Sequence, residues 1–337
     1  MLWKRGLAAA LGLTLLLSGC SGQKEESSSE GEQTLRTLQV CEVTHSVFYA
    51  PQYVAMNLGF FEEEGLELEL SVGQGADKVM AAVLSGSVDI GLAGPEAAIY
   101  VYNEGREDHS QIFAQLTQRD GSFLVGREPA ENFDWAQLKG SHLLPGRKGG
   151  VPYMTLEYVV RQHGLEPNTD VQFDDSVQFS LMAGAFAAGT GDYVTIFEPT
   201  ASMMEQEGKG YILASVGEES GDVPFTAYFA SKSMIAEEPE VIQAFTNAVY
   251  RGQQWVQEHS AQEVAEQMLP YFEDTDLELL TKVVERYKSI DAWCHDPVME
   301  QEGFEKLQTI MEEAGELEQR AEYEHLVNNT FAQAAMQ

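Results

Sequence analysis

The sequence predicts an α/β protein built as two lobes of similar design, and three observations predict it. Strand-period and helix-period segments alternate from Leu35 onward. A unit of helix, Gly-x-x-Asp turn, short apolar strand and proline occurs twice, once through Asp89 and Pro95 and again through Asp192 and Pro199. From about Glu237 the chain turns helical. A length of 337 residues suits two modest domains. The 44% hydrophobic and 10% aromatic content supplies a sizeable core and excludes disorder, collagen and coiled coil. A net charge of −34 excludes a nucleic-acid binder, which needs a basic face. Three cysteines exclude a disulfide scaffold.

The N-terminus carries an address. Lys4 and Arg5, an apolar run from Leu7 to Leu17 and small residues after it form a signal peptide over residues 1–19. The run is too short to span a membrane in the ordinary way. Leu17-Ser18-Gly19-Cys20 resembles a bacterial lipobox. That resemblance implies cleavage before Cys20, lipidation of its thiol, and anchorage on the outer face of the cytoplasmic membrane. An ordinary signal peptide with a chance cysteine is the alternative. Residues 20–34 are rich in Ser, Gly and Glu with no apolar period, and are expected as a flexible tether.

The elements follow in order. Leu35 to Val43 is a strand candidate. Pro51 to Phe61 reads as a helix with proline in its first turn and Val54, Ala55, Leu58 and Phe61 on one face. Gly65 marks a helix stop, and Leu66 to Leu70 alternates at the strand period. The acids Glu62 to Glu64, Glu67 and Glu69 read as a solvated helix end and the outer face of an edge strand. Asp77 to Leu84 is a helix and Ile90 to Ala93 a short strand. In the second copy, Val177 to Ala188 is the helix and Tyr193 to Phe197 the strand. Val241 to His259, Leu277 to Tyr287 and Glu302 to Ala314 are helices expected on the outside of the first lobe.

Four motifs carry a family resemblance. They are Tyr49-Ala50-Pro51-Gln52-Tyr53 through Gly59-Phe60-Phe61 to Gly65-Leu66, Leu84-Ser85-Gly86-Ser87-Val88-Asp89, Phe197-Glu198-Pro199, and Tyr323-Glu324-His325-Leu326-Val327. Together they resemble the ABC-transporter substrate-binding proteins for sulfonates, taurine, nitrate and thiamine pyrimidine precursors, over residues 38–331. The resemblance implies a two-lobed periplasmic-binding-protein-like fold of type II that closes on its ligand like a hinged clam. Lobe one would hold residues 35–122 and 231–337, and lobe two residues 123–230. The crossings are expected near Phe123 and near Tyr228 to Ser231. The implied partners are a small-molecule ligand and an ABC permease in the membrane. The protein is expected as a monomer without cofactor or metal.

In such a fold the ligand meets loops after strands and helix N-termini, where backbone N–H groups are free. The first lobe offers the Thr44 to Tyr49 loop, with His45, Phe48 and Tyr49, the Gly73 to Asp77 loop, and Gly94-Pro95-Glu96. The second offers Gly146 to Tyr153, where Gly149 and Gly150 allow close backbone approach and Arg147 and Lys148 add local positive charge. Arg119 is either an anion-binding residue or a brace. Glu198 either accepts a ligand N–H or fixes the strand end and hinge. Tyr49, Tyr53, Tyr153, Tyr193 and Phe225 are candidates to stack on a flat heterocycle.

Enzymatic signatures are weak. Gly73-x-Gly75 lacks the third glycine of a dinucleotide fingerprint and does not fit a phosphate loop, and no Gly-x-Ser-x-Gly elbow occurs. Cys294-His295-Asp296 is contiguous on a loop without a second cluster to complete a metal site, and reads as structural. Whether Cys41 and Cys294 pair is left open, since spacing does not establish proximity. One fungal branch resembling the family makes the thiamine pyrimidine with a cysteine-rich iron motif, which is absent here. A solute binder is therefore expected, with a thiamine-precursor-type pyrimidine as the first ligand class. A sulfonate, nitrate or other small oxyanion is the alternative. A sensory module or an extracytoplasmic enzyme on the same scaffold stands further back.

Overall fold

A computed structural model describes residues 35–337. The segments expected as signal peptide and tether, with Cys20, lie outside the described residues. Ten strands form two five-stranded sheets. The first sheet contains β1 (Arg36–Glu42), β2 (Leu66–Val72), β3 (Ile90–Ala93), β4 (Ser110–Thr117) and β10 (Thr226–Ser231). The second contains β5 (Ser122–Gly126), β6 (His142–Leu144), β7 (Gln172–Phe173), β8 (Tyr193–Phe197) and β9 (Tyr211–Ser215).

The two sheets share one topology. Their strand orders are β2-β1-β3-β10-β4 and β7-β6-β8-β5-β9. In each, three parallel strands come first and the fourth runs antiparallel to its neighbours. That fourth strand is the one arriving from the other lobe: β10 in the first sheet and β5 in the second.

The duplicated turn explains why the sequence repeat exists. Asp89 accepts from the backbone N–H of Gln39 through its carboxylate, at 2.8 Å, and its own N–H donates to the Gln39 carbonyl at 2.8 Å. Asp192 does the same with His142, at 2.8 Å and 2.7 Å. Each pair is 50 residues apart in the chain. One aspartate per lobe therefore ties the entry of the last parallel strand in the chain to the earliest one, at the middle of β1 in the first sheet and at the start of β6 in the second. It satisfies backbone donors that would otherwise be left at the sheet end.

The chain crosses between lobes at residues 118–121 and again at residues 216–225. The two segments support each other: Val223 N–H donates to the Gln118 carbonyl at 2.8 Å, and Phe225 N–H to the Thr117 carbonyl at 3.1 Å. A side chain at Gly217 would come within 2.2 Å of the Asp120 carbonyl, so only glycine fits where they abut. The first crossing falls just before Phe123, near where it is expected, and the expected second crossing at Tyr228 to Ser231 is corrected by this arrangement. Phe123 already lies inside β5, and Tyr228 is fully buried in β10 between β3 and β4. The run Thr226–Ser231 is apolar because it is the interior of the first sheet, so residues 226–230 belong there and not to the second lobe.

Two further expectations change. The helix expected from Val177 begins only at Met182, as Met182–Ala187, behind a short turn at Phe179–Leu181. The C-terminal helices do not all stay on the first lobe. The helix Pro239–Glu258 packs on Ala50–Asn57 there. Leu277–Ser289 and Gln301–Glu313 also touch the second lobe, through Arg286 to Glu198 and through Lys306 Nζ to the Ser220 carbonyl at 2.8 Å. Cys41 and Cys294 are both free and buried.

Candidate ligand cleft between the lobes

The lobes meet along two patches. The first joins the end of β3 to the start of the helix Val151–Gln162. Glu96 opens the helix Glu96–Asn103, and its side chain is 2% exposed. Its carboxylate folds back over Gly94, where a Cβ would stand 2.0 Å from Oε2. Glycine at position 94 is thus what admits the carboxylate. Glu96 Oε1 accepts from the Val151 backbone N–H at 3.4 Å, across the lobe boundary. Glu96 Oε2 is buried without a hydrogen-bond partner. Burial pushes this carboxyl up to about 7, against the opposing pull of the Val151 N–H and the Arg147 charge. Beside it, the Tyr100 hydroxyl donates to the Gly149 carbonyl at 3.0 Å. Gly94, Glu96, Gly149 and Gly150 therefore come together. Arg147 is half exposed at the edge, 3.8 Å from Asp77.

The second patch is aromatic and ionic. Phe48 packs against Tyr287, Phe225 and Phe197, with ring centroids at 5.2, 5.6 and 5.8 Å. Glu198 lies beside this cluster at the end of β8, 2% exposed. Its carboxylate is fully engaged by the protein. Arg286 forms an ion pair with Oε1, the Ser202 hydroxyl donates to Oε1 at 2.8 Å, and the Ser202 N–H donates to Oε2 at 2.8 Å. The Tyr287 hydroxyl accepts from the Glu198 N–H and donates to the Gly121 carbonyl, each at 3.1 Å. Of the two alternatives for Glu198, the geometry is that of a clasp at the hinge.

Arg119 sits in the first crossing segment. Its Nε is 2.6 Å from Asp222, and Nη1 donates to the Ile290 carbonyl at 2.9 Å. It braces the crossing against the C-terminal region. Two tyrosines lie away from the boundary. Tyr153 is buried in the second lobe against Phe173, with centroids 5.5 Å apart. Tyr193 starts β8, at the opposite end of that strand from Glu198. Both apolar rings are accounted for by the second lobe, so neither faces the cleft.

His45 belongs to a hydrogen-bonded network that sequence reasoning missed, and Tyr49 lies beside it. Its centre is Glu42, the last residue of β1, fully buried. Glu42 accepts from Gln52 Nε2 at 3.1 Å, and the Tyr53 hydroxyl lies 2.8 Å from each of its oxygens. His45 Nδ1 stands 3.1 Å from Glu42 Oε1, while Nε2 lies 2.7 Å from the Tyr271 carbonyl. The Glu42 hydrogen bond holds the His45 imidazole above its ordinary range. Tyr228 donates to Gln52 Oε1 at 2.9 Å and extends the network into β10. The available signal was an acid closing an otherwise apolar strand, with Gln52 and Tyr53 a helix turn downstream. Tyr49 is buried next to it, its hydroxyl pushed up by burial and by the Glu42 charge.

A second missed feature is the turn Phe179–Leu181. Phe179 is 43% exposed and Leu181 59% exposed, at the edge of the second sheet beside Phe197, whose ring is 5.9 Å away. The Cys294-His295-Asp296 loop holds no reactive centre: Cys294 is buried with its thiol pushed up, and His295 Nε2 lies 2.9 Å from Asp291.

Comparison with known proteins places this architecture. A relative from Bacillus subtilis, named "Putative binding protein YtlA", is 44% identical over 331 residues, covering 98% of this chain and 97% of its own. A 4-amino-5-hydroxymethyl-2-methylpyrimidine phosphate synthase from Aspergillus parasiticus is 24% identical over 220 residues, 62% of this chain and 63% of its own. The crystal structure of the ligand-binding component of an ABC-type import system from Staphylococcus aureus superimposes with a TM-score of 0.72 at 16% identity, over 89% of this chain and 99% of that one. The two matching sheets are thus those of a periplasmic-binding-protein-like fold of type II. The profile of the NMT1-like family matches residues 43–269, and with the Bacillus relative aligned along nearly the whole length, the chain belongs to the NMT1-like family.

Proposed function

We propose that the protein is the solute-binding component of an ABC importer, and that it receives a small planar ligand with N–H donors, of the thiamine-precursor pyrimidine type. Lobe closure on the ligand would present it to a membrane permease, and the chain would catalyse no reaction. Cys20, with its lipobox-like surroundings, would anchor the protein outside the cytoplasmic membrane. The names of the Bacillus and Staphylococcus proteins support the binding role. The Aspergillus enzyme supports the pyrimidine class, while the two cysteines of the described body, both buried, leave this chain without that branch's iron motif.

One observation carries the ligand class. Glu96 is a buried carboxylate at the lobe boundary with one oxygen unpaired. An unpaired buried acceptor costs about 1–3 kcal/mol, which a ligand N–H donor would recover. The oxyanion alternative retains a half-exposed Arg147 beside the Gly149–Gly150 turn. Its other supports are engaged: Arg119 braces the crossing, and the Val151 N–H is held by Glu96.

A thermal-shift panel of pyrimidines, purines, sulfonates, nitrate and amino acids tests the reading. A ligand at 100 times its Kd adds about 2.7 kcal/mol to stability. Aminopyrimidines are expected to raise the midpoint. A response to sulfonates or nitrate alone would move the weight to Arg147 and the helix start.

A further inference from the structure

We propose that closing the empty cleft places a proton on Glu96, and that a ligand N–H takes over the position of that proton. The second half rests on the ligand class argued above; the first stands on the protein alone. The two states differ in what surrounds one carboxyl. With the lobes apart, Glu96 faces water and ionises as an ordinary glutamate. With the lobes together it is enclosed between Gly94 and the start of the helix Val151–Gln162, with Oε1 on the Val151 N–H and Oε2 making no hydrogen bond. A proton from solvent on Oε2 removes the buried charge and so removes the cost of enclosing it.

The surroundings offset that cost only in part: the N–H groups of Glu96 and Ala97 at the helix start, like the Val151 N–H, pull the carboxyl down, and burial outweighs them. From the Gly146–Gly150 turn, Arg147 is the one cation that acts on Glu96, and it is half exposed and drawn to Asp77 at 3.8 Å. Lys148 of the same turn pairs with Glu316 at 3.6 Å. From Glu96's own helix comes Tyr100, whose hydroxyl is committed to Gly149 and whose ionisation is suppressed by burial. Glu157, further along the second-lobe helix, lies toward Arg161 and Lys148.

The sign follows from the direction of the shift. The closed form holds the Glu96 carboxyl near 7 and the open form near the ordinary glutamate value, so acid favours closure and alkali opposes it. Between pH 8 and pH 6 the closed-to-open ratio of the ligand-free protein should rise about tenfold.

Small-angle scattering of the ligand-free protein at the two pH values reads that ratio. The native protein is expected to become more compact at pH 6. Glu96→Gln, already neutral, is expected to be equally compact at both. Asp120, a second buried carboxyl pushed to about 7 in the first crossing segment, is the control. Asp120→Asn is expected to keep the pH response. The proposal is overturned if the native protein shows no change, if Glu96→Gln still responds, or if Asp120→Asn abolishes the response. Should Glu96→Gln not fold, infrared difference spectra of Asp120→Asn read the protonated carboxyl without the band of Asp120, and its growth must track compaction. No ligand enters the scattering experiment, so its failure is separate from any failure of the pyrimidine assignment.

Discussion

Glu96 and Glu198 occupy matching ends of the duplicated unit, one just after its proline and one just before. Both are 2% exposed and both lie on the boundary between lobes. Their partners differ. Glu198 has an arginine, a hydroxyl and a backbone N–H, all supplied by this chain. Glu96 has one long bond from Val151 and an oxygen without a hydrogen-bond partner. A buried acid completely paired by its own chain is a structural joint. A half-paired one is open to completion by a proton or another molecule; Asp120 and Glu157 also keep one unpaired oxygen, and Glu96 is set apart by its place between Gly94 and the Val151 N–H across the lobe boundary.

The contrast is open to breaking. The largest effect is expected from Arg286→Met, which leaves Glu198 buried with Ser202 alone. Breaking a buried pair from one side costs about 3–5 kcal/mol. Partial exposure of Arg286 puts the expectation at the lower end, read as a reduced urea midpoint. A loss under about 0.5 kcal/mol would remove the clasp from the account. Gly94→Ala comes next. Its Cβ would displace the Glu96 carboxylate, at an overpacking cost of about 1–3 kcal/mol, with weaker aminopyrimidine binding in the same protein. Tyr287→Phe removes the two 3.1 Å bonds at the hinge and should cost about 1–2 kcal/mol in thermal or chemical unfolding. Arg119→Ala is the smallest. Its partner Asp222 is largely exposed, so about 1 kcal/mol or less is expected, with ligand affinity unchanged. A large affinity loss there would restore an anion-binding role.

The two-lobed design was legible in the sequence because one aspartate per lobe performs the same local task. Asp89 and Asp192 each tie a strand entry to an earlier parallel strand, and that task leaves a recurring Gly-x-x-Asp pattern. The short strands Ile90–Ala93 and Tyr193–Phe197 were legible for the same reason. The second crossing was not, because β10 inside its sheet reads as the same kind of apolar run as a strand passing between lobes. The site was legible only in part. Glu96 and Gly94 stand where a loop after a strand would place a ligand contact. The partners of Glu198 and Arg119 lie far along the chain, and no local pattern announces them. Tyr153 and Tyr193 show the reverse case: aromatic residues near candidate loops whose rings serve the second lobe's interior.

The central claim is that Glu96 receives a ligand N–H, and calorimetric titration of an aminopyrimidine into the native protein and into Glu96→Gln tests it most directly. The account predicts measurable binding by the native protein and an affinity at least about 30-fold weaker in the variant, the cost of about 2 kcal/mol for losing a charged acceptor. Equal affinity in the two proteins would contradict it.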